Sequence, residues 1–292
     1  MELDDKSIKT MKLYTHVERI KNELTDRGML QSEYIDPMTL NEIDSMHYMG
    51  NTAVEDAIST MKLDSSSRVL DIGSGFGGTA RFISDKTNCS TTALELQKDI
   101  HEMGEYLTTK CRLENRVKHE RGDILTLDMN QLGGGVSSYD GVVSFLVFLH
   151  IRDKKSLFKQ CASSLKPGGT LYVEDFYCRS SFSENEVKSL AENIYAFDLP
   201  KRKDYISQLE GSGFHHIQFI DKSLEWTTYV NERVTNFVSD RQRFERVHGE
   251  PTYLSLLHFY VAVDKLFSAN NLGGVRIIAK KQSSSHTGET KS

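Results

Sequence analysis

Apolar residues near the start of the chain recur at helical spacing: Leu13, Val17, Ile20 and Leu24 stand three or four residues apart and would share one helix face. "IDPMTLNEIDSMHYMG" breaks that period at Pro37, and its Thr39-x-x-Glu42 pattern is expected to cap a second helix. From Arg68 to Asp175 the pattern changes to short apolar runs, "RVLDI", "TTALEL", "VKHERGD", "YDGVVSFL" and "TLYVEDF", alternating with amphipathic stretches. That order predicts parallel strands joined by helical crossovers. One crossover helix carries Leu157, Phe158, Cys161 and Leu165 and should end at Lys166-Pro167-Gly168-Gly169. Beyond Asp175 come two helices, a strand in "HHIQFIDKS", a mostly helical stretch from Tyr229 to Ala269, and a last strand in "GGVRIIAKK". The expected organisation is an N-terminal helical lid over residues 1–62 and an α/β domain over 63–281 with a helical cap at about 225–270. The polar tail, 282–292, is expected to be disordered.

Composition narrows the class. The 292 residues are 38% hydrophobic with a formal net charge of −5, enough apolar content for a core and no general attraction to nucleic acid or anionic lipid. With no apolar leader and no long apolar run, the expectation is a cytoplasmic enzyme, a monomer or homodimer, without nucleic-acid or membrane partners. Cys89, Cys111, Cys161 and Cys178 lack C-x-x-C spacing and are expected to be idle thiols, with no metal site.

The first chemical signal is "VLDIGSGFGG". Gly73, Gly75 and Gly78 satisfy the G-x-G-x-x-G spacing with which a dinucleotide-binding turn brings a pyrophosphate to a helix N-terminus. Asp71 opposes that reading, because a carboxylate facing the turn repels phosphate. It favours a ligand with an ammonium group, such as S-adenosylmethionine, whose sulfonium also makes its methyl group electrophilic. Glu95 stands where an acidic residue accepts ribose hydroxyls. Asp123 could accept the adenine amine, with Ile124 covering the ring.

Taken in order, "VLDIGSGFGG", "LELQ", "GDIL", "YDGVVS", "LKPGGTLYVEDF" and "GGVRIIAKK" resemble the class I S-adenosylmethionine-dependent methyltransferases over roughly residues 65–281. The resemblance implies a Rossmann-like sheet of seven strands, six parallel and the last antiparallel. It also implies a cofactor site of Asp71, Gly73, Ser74, Gly75, Glu95, Leu96, Gln97, Asp123, Ile124, Phe145 and His150, with S-adenosyl-L-homocysteine as product.

Methyl transfer needs a held acceptor, excluded water and a group to take the acceptor's proton. His150 in "FLVFLHI" is the leading catalytic residue, with Tyr48 beside it, and its activity is expected to fall as the imidazole protonates. His47, Leu146, Asp175, Trp226, Tyr229 and Tyr260 are the acceptor-side candidates; Phe259 could join the aromatic wall, and Arg241, Arg243 and Arg246 could receive a phosphate or carboxylate. The lid, "LHI" and the cap also look like the small-amine N-methyltransferases of the phosphoethanolamine and sarcosine or dimethylglycine type. Their motif usually has an acidic residue four positions before the His, and this chain has Leu146 there. The expected function is methyl transfer to a small-molecule acceptor, at an amine nitrogen. Alternatives are C- or O-methylation of an apolar metabolite, or cofactor binding without catalysis.

Overall fold

Parallel strands and crossover helices assemble into one seven-stranded sheet ordered β3-β2-β1-β4-β5-β7-β6, in a computed structural model that describes residues 17–133 and 135–283. Leu13 and the tail beyond residue 283 lie outside the described residues. The strands are β1 (Arg68–Ile72), β2 (Ser90–Glu95), β3 (Val117–Arg121), β4 (Tyr139–Phe145), β5 (Leu165–Cys178), β6 (Phe214–Asp221) and β7 (Leu272–Lys281). β7 alone runs antiparallel to both its neighbours. Strand order reverses between β1 and β4, which pair in parallel, and such a switch opens a crevice beyond their carboxyl ends.

Before the sheet lie α1 (Arg19–Asp26), α2 (Pro37–Asp44) and α3 (Gly50–Met61); α4 (Gly78–Thr87), α5 (Lys98–Lys110) and α6 (Lys154–Ser164) are crossovers. Asp36, not Thr39, caps α2: its Oδ2 accepts from the Thr39 backbone N–H at 3.0 Å, with Pro37 in the first turn. Glu42 is drawn outward instead, to Arg27 at 2.9 Å. The crossover helix α6 ends at Ser164, earlier than the Pro-Gly-Gly stretch suggested, because Leu165 already pairs with Tyr139; Lys166–Gly169 form a bulge before pairing resumes at Thr170.

After β5 come α7 (Glu184–Ser189), which continues as a π turn over Leu190–Ile194, and α8 (Arg202–Glu210). The stretch between β6 and β7 is α9 (Ser223–Ser239), α10 (Arg241–His248) and α11 (Glu250–Ser268). Trp226, Val230, Phe259, Val263 and Phe267 of α9 and α11 pack with Tyr48, Leu149 and Phe176 in one apolar cluster. The helices between the last two strands are thereby fixed above the ends of β4 and β5. "GGVRIIAKK" gains a physical reason here: a Cβ on Gly274 would lie 2.2 Å from the Trp226 ring. The four cysteines are free and buried. Among the described residues no helix is long and apolar enough to cross a membrane.

Candidate active site

The glycine turn follows β1. Gly73, Gly75 and Gly77 take φ of +70°, +54° and +80°, and α4 begins at Gly78. The third left-handed position is therefore Gly77, one residue earlier than the dinucleotide spacing indicated. Gly78 is small for another reason, since a Cβ there would come within 2.8 Å of Asp44 Oδ1. At Gly73 a Cβ would meet Val147 Cγ2 at 2.4 Å, so the loops leaving β1 and β4 touch across the crevice.

Asp71 is buried beneath this turn. Its carboxylate accepts from the Ala80 backbone N–H in the first turn of α4, while Oδ2 is buried with no partner. Burial, then repulsion from Glu95, pushes Asp71 up to about pH 7. Ser74 Oγ and Gln97 Oε1 are likewise buried without partners. Glu95 links the two strand ends, with Oε2 accepting from the Gly75 N–H at 3.0 Å and Oε1 from the Gln97 N–H at 2.9 Å. Leu96 is half-buried. Asp123 lies two residues past β3, half-buried, with Oδ1 accepting from the Leu125 N–H at 2.9 Å, and Ile124 beside it is buried. Leaving a buried polar atom unsatisfied costs about 1–3 kcal/mol. Three such atoms around one turn fit a polar ligand, and the Asp71 oxygen selects a donor or a cation over a phosphate.

The other side of the crevice begins where β4 ends at buried Phe145. Leu146 adopts φ +57°, a conformation costing a non-glycine residue about 1–3 kcal/mol, while its N–H donates to the Glu174 carbonyl at 2.8 Å. A single 3-10 turn, Phe148–His150, follows. Asp175 is spent holding it: Oδ2 accepts from the Leu149 N–H at 2.9 Å and Oδ1 from the Phe176 N–H at 2.6 Å. Asp175 therefore positions the His150 loop from within the core rather than facing an acceptor.

His150 is buried, and its Nδ1 donates to the Tyr195 carbonyl at 2.9 Å. Tyr195 is placed for this by the π turn, which ends in its left-handed conformation, φ +55°. Burial pushes the imidazole down to about pH 4, with the Lys154 ammonium adding to the effect and the Tyr195 bond opposing it. His47 lies against Phe145, ring centroids 4.8 Å apart, with Nδ1 donating to the Tyr48 carbonyl at 3.1 Å; burial lowers its pKa. The Tyr48 ring stands edge-on to Trp226 at 4.8 Å and 5.3 Å from Tyr229. Phe259 and Tyr260 pack in the same aromatic layer.

The expected anion receptor of Arg241, Arg243 and Arg246 is already neutralised. Arg241 pairs with Glu245 at 2.6 Å, Arg243 with Glu23 at 3.2 Å and Asp240 at 2.9 Å, and Arg246 with Asp26 at 2.7 Å. Arg243 and Arg246 clasp α10 to α1, and His248 joins them at Glu23, 2.8 Å away. Sequence reasoning passed over Arg233 instead. It occupies the apolar stripe Trp226, Val230, Arg233, Phe237 at three- and four-residue steps, and a cation in such a stripe was the available signal.

A family profile described as a methyltransferase domain matches residues 46–239. The chain therefore belongs to the methyltransferase-domain family, within the class of S-adenosylmethionine-dependent methyltransferases. It is 27% identical to a phosphoethanolamine N-methyltransferase of Plasmodium falciparum, over 80% of this chain and 84% of that enzyme. It is 27% identical to a glycine/sarcosine/dimethylglycine N-methyltransferase of Actinopolyspora halophila over 65% of this chain, spanning only 34% of that protein. Its fold is similar to a Haemonchus contortus phosphoethanolamine N-methyltransferase 2 solved with phosphomonomethylethanolamine and S-adenosylhomocysteine. The TM-score is 0.78 at 17% identity, covering 97% of this chain and 61% of that one.

Proposed function

We propose that this protein transfers the methyl group of S-adenosylmethionine to the nitrogen of a small-molecule amine. The cofactor supplies an electrophilic methyl on a sulfonium. Asp71 and Ser74 hold its ammonium end, Glu95, Leu96 and Gln97 its ribose, and Asp123 with Ile124 its adenine, while Phe145 lines the pocket. The observation that carries this reading is the group of buried, unpartnered atoms on Asp71, Ser74 and Gln97. The N-terminal lid and the cap between β6 and β7 exclude water by closing an aromatic layer over the ends of β4 and β5. His150, neutral at physiological pH and with Nδ1 committed to Tyr195, keeps Nε2 as the proton-accepting nitrogen. Tyr48, His47, Trp226, Tyr229 and Tyr260 orient the acceptor. The names of the relatives, both amine N-methyltransferases, support nitrogen. Incubation with methyl-labelled cofactor and a cell extract tests this, and a labelled N-methyl product is expected.

The apolar surroundings of Leu146 favour a second reading, methylation of carbon or oxygen on an apolar metabolite. A labelled product whose methyl sits on carbon or oxygen selects it.

A further inference from the structure

Arg81 of α4 is fully buried, and its guanidinium bridges the N-terminal lid and the glycine turn. Nη2 pairs with Asp44 of α2, whose side chain is fully buried as well. Nη1 donates to the Phe76 carbonyl, inside the glycine turn, at 2.7 Å and to Thr108 Oγ1 of α5 at 3.1 Å. The Phe76 ring lies in one apolar cluster with Leu24 of α1, Leu40 of α2 and Ile35 between them. The turn therefore leans on the lid through a side chain as well as through a carbonyl. Asn41 and Asp44 also close on Gly78, the first residue of α4, where a Cβ would lie 2.8 Å from Asp44 Oδ1 and 3.1 Å from Asn41 Oδ1. Gly78 is thus the seat of α2.

Parting either partner of a buried ion pair from the other strands a charge, and the planar fork of Arg fixes both of its acceptors in direction. Asp44 and the Phe76 carbonyl therefore cannot shift independently. Asp44 stands three residues before His47 and four before Tyr48. Phe76 directly follows Gly75, whose N–H donates to Glu95 at 3.0 Å. We propose that Arg81 and Asp44 are a positioning pair that couples the shape of the glycine turn to the placement of His47 and Tyr48. They act through the turn and the lid rather than on the cofactor itself. The coupling is reciprocal: what a docked lid adds to cofactor affinity, bound cofactor adds to the docking of the lid. This rests on the reading of the glycine turn as the cofactor site.

The test removes both charges at once in the full-length protein, Asp44→Leu with Arg81→Met, because apolar residues of similar volume can replace a buried ion pair whereas a single change leaves an unpaired charge. Urea melts check that the variant folds. Calorimetric titration with S-adenosylhomocysteine should show binding weakened about tenfold or more, within the range of an ordinary coupling between sites. Hydrogen exchange over residues 45–50 should slow when the wild type takes up S-adenosylhomocysteine and should not respond in the double variant. Wild-type affinity in the double variant, or protection of 45–50 that survives the substitutions, overturns the proposal and leaves the pair as packing alone. Should the double variant not fold, Gly78→Ala decides. Alanine suits a helix better than glycine, so α4 is kept while the new Cβ drives Asp44 from its seat; weakened S-adenosylhomocysteine binding is expected, and unchanged binding overturns the proposal. If the wild type itself ignores S-adenosylhomocysteine, the methyltransferase reading falls and the pair is judged without ligand. Exchange at 45–50 and 73–78 that rises together in the variant upholds the coupling, and a rise confined to one of the two overturns it.

Discussion

The Tyr195 carbonyl lies 2.9 Å from Nδ1 of His150, and this single contact settles which imidazole nitrogen carries the proton. A carbonyl accepts only, so Nδ1 is the donor and Nε2 is left as the accepting nitrogen, as the proposed role of general base requires. His150→Ala should lower turnover by about 10²–10⁴-fold with cofactor affinity nearly unchanged, the range for a lost general base. Because burial places the imidazole at about pH 4, this group should hold activity flat through the ordinary imidazole range and lose it only near that value. Stability follows the same sign. The unfolded chain takes up the proton first, so stability falls as pH drops from the ordinary value toward 4. A pH–rate profile alongside urea melts at several pH values reads both, and a rate that halves near pH 6.5 in the wild type and in His150→Ala alike would refute the role.

Cofactor binding should release a proton. Asp71 is raised to about pH 7, so part of the population is protonated near neutrality and must ionise to meet an ammonium. Calorimetric titration with S-adenosylmethionine at pH 7, in two buffers of different ionisation enthalpy, should show apparent heats that differ accordingly. Asp71→Asn should abolish the difference and weaken binding by about 1.5–3 kcal/mol, the scale of a charged hydrogen bond. Without cofactor the sign reverses: a carboxyl raised in the folded state stabilises it below the unfolded pKa, a contribution lost as pH rises through 7.

Gly274→Ala tests the seat of α9. Its Cβ would sit 2.2 Å from the fully buried Trp226 ring, so the indole or the strand must shift. Over-packing of this kind costs about 1–3 kcal/mol, and urea denaturation should show the loss. Unchanged stability would mean that the helices between β6 and β7 are loosely held.

Asp44 and Arg81 form an ion pair with both side chains fully buried, tying α2 to α4. Asp44→Ala would strand the Arg81 guanidinium and should cost about 3–5 kcal/mol. The N-terminal segment is thus part of the core at this point, and its closure is better probed at the exposed clasp. Arg246→Ala, which breaks the exposed pair with Asp26, should barely change stability, yet raise the KM of the acceptor if α1 and α10 must stay joined during turnover. Steady-state kinetics separates the two effects.

The sheet was legible because period-two and helical patterns report burial directly: each of the five apolar runs before Asp175 became a strand. Asp71 and Glu95 stand out as candidates in the sequence because a carboxylate at a strand end is chemically conspicuous. Boundaries were harder. Thr39-x-x-Glu42 is a genuine capping pattern, but Asp36 beside Pro37 caps better, and one sequence does not rank the two. Arg243 and Arg246 looked like part of an anion receptor because their partners, Glu23 and Asp26, lie more than two hundred residues away in the chain. The backbone bonds of Asp175 to Leu149 and Phe176 were hidden for a related reason, since a carboxylate in a strand end does not announce whether it faces a ligand or the backbone N–H groups of a neighbouring loop. Tyr195 acts through its carbonyl, a group every residue possesses, so its side chain carried no signal.

Because β7 runs opposite to its neighbours, it begins at the edge of the sheet where the parallel strands finish. Chain inserted ahead of it must emerge over the crevice, whatever its length or sequence. On the proposed function, residues 71–124 serve the cofactor and the helices of 223–268 the metabolite to be modified, so a change in the second stretch leaves the first alone. Exchanging residues 223–268 between relatives that share this strand order is accordingly a natural route to new acceptors.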